Sequence, residues 1–146
     1  MYCKVTAYIN ENKLCTKAII DTGNFLKEPI TQVPVIVIEK NVLIGCIPEH
    51  ILNNIDNIIL GNYIDLEDYE SKIRIIPFTS LGKENGILLG LKGDKVEIIM
   101  NENEFIINNI IIGIYNGILS KTGKFHALIG LDTIEEESVN NIYENV

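Results

Sequence analysis

From Tyr2 to Ile9 the side chains alternate, with Cys3, Val5, Ala7 and Ile9 on one side and Lys4, Thr6 and Tyr8 on the other. A period of two is the mark of a strand with one buried face. The pattern belongs to the whole chain, because 29 of its 146 residues are isoleucine. A β-branched side chain is stiff and packs well on a pleated, half-buried surface. The expectation is therefore a mostly β fold with a few short helices, forming a single domain over residues 1–146. A chain of this length buries a core without staples, and 47% hydrophobic against 22% charged residues excludes a disordered segment.

Residues 10–13 are turn-formers, and 14–20 return as the second arm of a hairpin. Further strands are expected at Val35–Glu39, 73–79, 87–91, 96–100 and Ala127–Gly130. The nearly continuous apolar run over 105–115 reads as a strand buried on both sides. Asn85-Gly86 is a strong short hairpin signal. Residues 41–72 differ in texture and are expected to be an insertion. Pro48 opens a short helix there, and 65–72 reads as an exposed acidic helix capped by Asp65. Its carboxylates lack calcium-loop spacing. A second acidic helix is expected over 135–140.

The net charge of −8 and a pI near 4.7 argue against a nucleic-acid partner, and an acidic surface tolerates a basic peptide. Cys3, Cys15 and Cys46 lack C-x-x-C spacing, and with His50 and His126 they do not compose a zinc site. No metal or cofactor is expected. The cysteines read as small buried hydrophobes in a reducing compartment, with Cys3 and Cys15 able to meet across the first hairpin. No signal peptide and no bilayer-length apolar run is present, so the domain is expected to be soluble.

The chemistry concentrates at Asp21-Thr22-Gly23-Asn24, directly after the apolar Ala18-Ile19-Ile20. A carboxylate placed there arrives at the edge of a core. Thr22 adds a hydroxyl, and Gly23 is expected to supply the backbone freedom for a sharp turn. Strand, acid, hydroxyl, glycine is the layout of half an aspartic peptidase site. An Asx turn that merely closes a strand gives the same four letters.

A second segment, Ala127-Leu128-Ile129-Gly130-Leu131-Asp132, follows more than a hundred residues later. Together the two resemble retropepsin-like aspartic peptidases, in which a hydrophobic-hydrophobic-Gly strand passes behind the catalytic loop. A narrower resemblance is carried by Asp21-Thr22-Gly23-Asn24 with Leu26, Pro29 and Pro34-Val35. To these are added Ile76-Pro77-Phe78, the 82–90 segment and the Ala127 segment. On these motifs the chain resembles the family of sporulation sigma-E factor-processing peptidases of endospore-forming bacteria.

The resemblance implies a closed, retropepsin-like (pepsin-like half-barrel) β fold and limited cleavage of a sporulation sigma factor precursor. It implies Asp21 as the catalytic residue, Thr22, Gly23 and Asn24 as its loop, and Leu128, Ile129 and Gly130 as the strand behind it. Gly82, Lys83, Glu84, Asn85 and Gly86 form a candidate flap, for which a plain surface turn is the alternative. Asp132-Thr133 is followed by Ile134, so one chain holds one D-T-G and a homodimer is implied. The family also implies an activating signalling protein. It implies too a membrane region ahead of this domain, placing the full-length protein at the cytoplasmic face of the sporulation septum. Two rivals remain: an inactive peptide-binding module of the same fold, and an all-β interaction domain in which Asp21 only closes a turn.

Overall fold

The computed structural model describes residues 1–23, 26–62, 64–78 and 86–134. The first hairpin is present as β1 (Tyr2–Ile9) and β2 (Asn12–Asp21). Asn10 and Glu11 join them, both at positive φ, as a two-residue turn matching the strand twist requires. Then come β3 (Val35–Glu39), the short helices α1 (Glu49–Leu52) and α2 (Ile55–Ile59), β4 (Ile73–Phe78) and β5 (Gly86–Lys92). The chain continues as β6 (Lys95–Met100), β7 (Asn103–Ile107), β8 (Ile111–Tyr115) and β9 (Ala127–Gly130), and residues 131–134 enter a helix.

Among the described residues, nine strands make one sheet in the order β4-β5-β8-β3-β9-β2-β1-β6-β7. The fold is mostly β, as the alternation and the isoleucines require. It is not closed, which corrects the expectation of a closed half-barrel: β4 and β7 are edges that do not pair with each other. The apolar run over 105–115 is also two strands and not one. It breaks at Asn108-Asn109, so that β7 lies on one edge and β8 deep in the sheet.

Most buried side chains form one core. The inward residues of β1 and β2 (Val5, Ala7, Ile9, Ala18, Ile20) meet Leu43, Ile47, Ile51, Leu52, Ile58 and Tyr69 there. Segment 41–72 is thus part of the principal core. Pro48 sits at the N-terminal cap of α1. The acidic stretch is a 3-10 helix, Glu67–Lys72, preceded by Asp65, whose Oδ1 accepts the Glu67 N–H at 3.0 Å. Its acids are exposed while Tyr69 is buried. Lys72 fastens the segment to the first turn by hydrogen-bonding Asn10. A second, smaller cluster contains Val35, Val37, Ile76, Leu88 and Ile111, with Leu26, Phe78, Tyr115 and Leu128 only partly covered.

The cysteines depart from expectation. Cys3 faces Ala18 in the register and Cys15 faces Thr6, so the two do not meet. Cys3 and Cys46 are buried, but Cys15 is exposed, on the opposite face of the hairpin. Among the described residues no helix is long and apolar enough to cross a membrane, and no cluster of metal-ligating side chains occurs.

Candidate active site

Asp21 is the last residue of β2 and is half-buried. Behind it runs β9, parallel to β2, with Ile19 opposite Leu128, Ile20 opposite Ile129 and Asp21 opposite Gly130. On its other side β9 pairs antiparallel with β3, through Val37 opposite Leu128 and Ile38 opposite Ala127. Residues 22–34 connect β2 to β3, so β9 is inserted between the two strands that this loop joins. Four apolar residues thereby fix the position of a loop more than a hundred residues earlier in the chain. Ile129 is fully buried, while Leu128 on the other face stays half-exposed beside the second apolar cluster.

Asp21 Oδ1 accepts the Gly23 N–H at 2.9 Å, an Asx turn. Thr22 and Gly23 are exposed, and Asn24 lies outside the described residues. Gly23 does not take the conformation anticipated for it. Its φ is not positive, and among the described residues a Cβ built there would meet only Asp21 Oδ1, at an ordinary 3.5 Å. Among the described residues of one chain, neither strain nor crowding calls for glycine at this position.

Beyond the turn, the loop is anchored twice. Lys27 Nζ lies 3.4 Å from Asp132 Oδ2, tying the loop to the segment that leaves β9. Residues 26–35 then form a small hairpin, with Val35 N–H donating to Leu26 O at 3.0 Å and Glu28 N–H to Val33 O at 2.9 Å. Glu28 is buried at its tip, where Oε2 accepts from Ile30 N–H, Thr31 N–H and the Thr31 hydroxyl. The Thr31 hydroxyl, then its N–H, hold the carboxyl below its usual range. Burial opposes them, while the Ile30 N–H and the charge of Arg74 assist.

The candidate flap falls largely outside the described residues, since Gly82, Lys83, Glu84 and Asn85 all do. Its stem is β4 and β5. Gly86 pairs with Phe78, whose ring covers it so closely that a Cβ would approach Cε1 to 2.6 Å.

Sequence reasoning passed over Glu39 and His126. Glu39, buried at the end of β3, holds His126 Nδ1 at 2.7 Å through Oε1. Its backbone N–H donates to His126 O at 3.0 Å, and His126 N–H donates to Lys17 O at 2.9 Å. The pair clamps the start of β9 between β3 and β2. The available signal was an acid ending an unbroken apolar strand, Val35-Ile36-Val37-Ile38-Glu39.

In comparisons with known proteins, the family described as sporulation factor SpoIIGA matches residues 1–132. A sporulation sigma-E factor-processing peptidase of Priestia megaterium is 31% identical over 128 residues, covering 86% of this chain and 41% of the relative. One of Bacillus subtilis is 30% identical over 147 residues, covering 94% of this chain and 46% of the relative. The chain thus spans less than half the length of these two relatives. No solved structure matches.

Proposed function

The chain belongs to the sporulation factor SpoIIGA family, and on that premise we propose that it is the peptidase domain of an aspartic endopeptidase. Its substrate is a sporulation sigma factor precursor, from which it removes the pro-sequence. The observation that carries the reading is Asp21 itself, a half-buried carboxylate at a strand end, set against Gly130 and followed by an exposed hydroxyl and glycine. A retropepsin-like arrangement is supported by the insertion of β9 between the strands flanking the Asp21 loop.

Asp21 is one half of the chemistry. In a C2 dimer two such carboxylates share a proton, because like charges in contact do not both ionise. The ionised one takes a proton from a water molecule, whose oxygen adds to the scissile carbonyl carbon. The protonated one hydrogen-bonds the carbonyl oxygen. Collapse of the tetrahedral species breaks the C–N bond, with a proton passing to the departing nitrogen. Thr22 and Gly23, exposed in one chain, are the surface on which the second loop would sit. The 82–86 flap, an activating partner and a membrane-anchored region ahead of the domain belong to the same proposal.

The test is incubation of the precursor with this chain and with its Asp21→Ala variant, alongside sedimentation to establish the oligomeric state. Cleavage by the first alone, from a dimer, is expected. Binding of the precursor without cleavage by either would leave an inactive peptide-binding module.

A further inference from the structure

Alternation along β2 places Cys15, Lys17 and Ile19 on the same face as Asp21. On that face Cys15 and Lys17, with Tyr2 and Lys4 of β1 and Lys124 from the loop before β9, border a largely apolar groove of about 790 Å³. Lys4 and Lys17 stand directly opposite each other in the register, an arrangement of like charges that works against strand pairing. Among the described residues neither they nor Lys124 form an ion pair, whereas Lys27, Lys72 and Lys95 each meet an acidic side chain. In a chain of net charge −8, three lysines without an ion pair among the described residues gather around one groove. The edge of β2 beside them is also open: β9 pairs only with 18–21, and among the described residues no strand covers 12–16 on that side.

We propose that this groove docks an acidic, extended segment of the protein substrate, an inference that rests on the peptidase reading above. The lysines supply complementary charge, the apolar floor takes side chains, and the free edge of β2 offers backbone groups to a strand. A concave groove beside an open edge suits one extended chain better than a flat anionic membrane. Lys17 lies four residues from Asp21, roughly 13 Å along the strand. A segment held there leaves only a few residues to reach the carboxylate, which makes cleavage selective for a precursor carrying both parts.

The experiment measures binding of labelled, uncleaved precursor to the Asp21→Asn chain, with and without Lys4→Glu, Lys17→Glu and Lys124→Glu combined. Charge reversal is expected to weaken binding about tenfold or more, since three exposed pairs of modest strength are lost together. Lys→Gln at the same sites should weaken it severalfold, and a 12-residue Asp/Glu-rich peptide should compete only with the lysine-bearing chain. Unchanged precursor binding in both variants overturns the proposal. So does lysine-dependent pelleting with phosphatidylglycerol vesicles while precursor binding stays the same, which would assign the patch to a membrane. Because binding is read without turnover, a precursor held through the lysines but never cleaved by the unmodified chain would count against the peptidase reading alone.

Discussion

Asp21 and Glu28 are seven residues apart on the same connection between β2 and β3, and the structure treats them oppositely. Glu28 is buried, and one of its oxygens accepts from Ile30 N–H and from both the N–H and hydroxyl of Thr31. Its charge is spent on shaping its own turn. Asp21 is half-exposed and, among the described residues, accepts only from Gly23 N–H. Among the described residues no hydrogen bond reaches its second oxygen. A carboxylate at a core edge costs solvation, and among the described residues three local donors offset that cost at Glu28 against one at Asp21. On the proposed function, the difference separates an acid that builds the loop from one that the loop presents.

The largest expected effect tests that separation at once. Asp21→Asn keeps the side-chain volume and the Gly23 hydrogen bond but removes the base, so cleavage should fall by about 10³-fold. The melting temperature should stay near that of the unmodified chain. Precursor processing and a thermal melt measured on one sample decide it. Persisting cleavage would remove Asp21 from the chemistry, and a large loss of stability would make it a second structural acid like Glu28.

Next in size is the effect of pairing. With one D-T-G per chain, a ninefold excess of Asp21→Ala chain should lower activity per unmodified chain about tenfold, because about nine in ten unmodified chains are then paired with an inactive one. Titrating the inactive chain against a fixed amount of active chain, under conditions where dimers exchange, reads this directly. A flat titration would mean that a single chain completes the site.

Gly23 sharpens the contrast further. Inside one chain its φ is not positive and, among the described residues, a Cβ has room. Gly23→Ala should therefore leave the stability of the isolated chain unchanged or raise it, by roughly 0.4–1 kcal/mol through the unfolded state. If two such loops approach in the dimer, the same methyl group should reduce activity and association severalfold. Denaturant melts at low concentration and sedimentation at high concentration separate the two. Loss of stability in the monomer would show that the glycine is needed for the turn itself.

What the sequence revealed follows from the range of the interactions. The β1–β2 hairpin was legible because alternation and turn chemistry are local. The approach of β9 to Asp21 was legible in its order through family resemblance, whereas its register depends on pairing across more than a hundred residues. The burial of 41–72 was hidden because helices of four and five residues are too short to display a period. Asn108-Asn109 visibly interrupts the apolar run, but its division between two strands was hidden because two apolar strands at different places in a sheet spell nearly the same run as one. Glu39 and His126 are 87 positions apart, and no local pattern joins them. The exposure of Cys15 was misread through its residue type, although it alternates with Leu14 and Thr16 in a strand with one solvated face.

The smallest effect concerns Glu28, and it fixes the other end of the comparison. Its carboxyl is held below the ordinary value of 4.5, first by the Thr31 hydroxyl. A group with a depressed folded-state pKa favours the native state once it is ionised in both states. The contribution is therefore complete above pH 4.5 and is lost as the pH falls through the lower, folded value. Glu28→Gln carries no charge at any pH, so its melting temperature should be lower than that of the unmodified chain at neutral pH, and the gap should narrow on acidification. Thr31→Val, which removes the hydroxyl hydrogen bond but leaves the carboxylate, should fall between them. Melting temperatures from pH 7 down to pH 3 on the three proteins provide the measurement. Parallel curves would mean that Glu28 contributes no ionisation-linked stability, and the division of labour between the two acids of this loop would fail on its structural side.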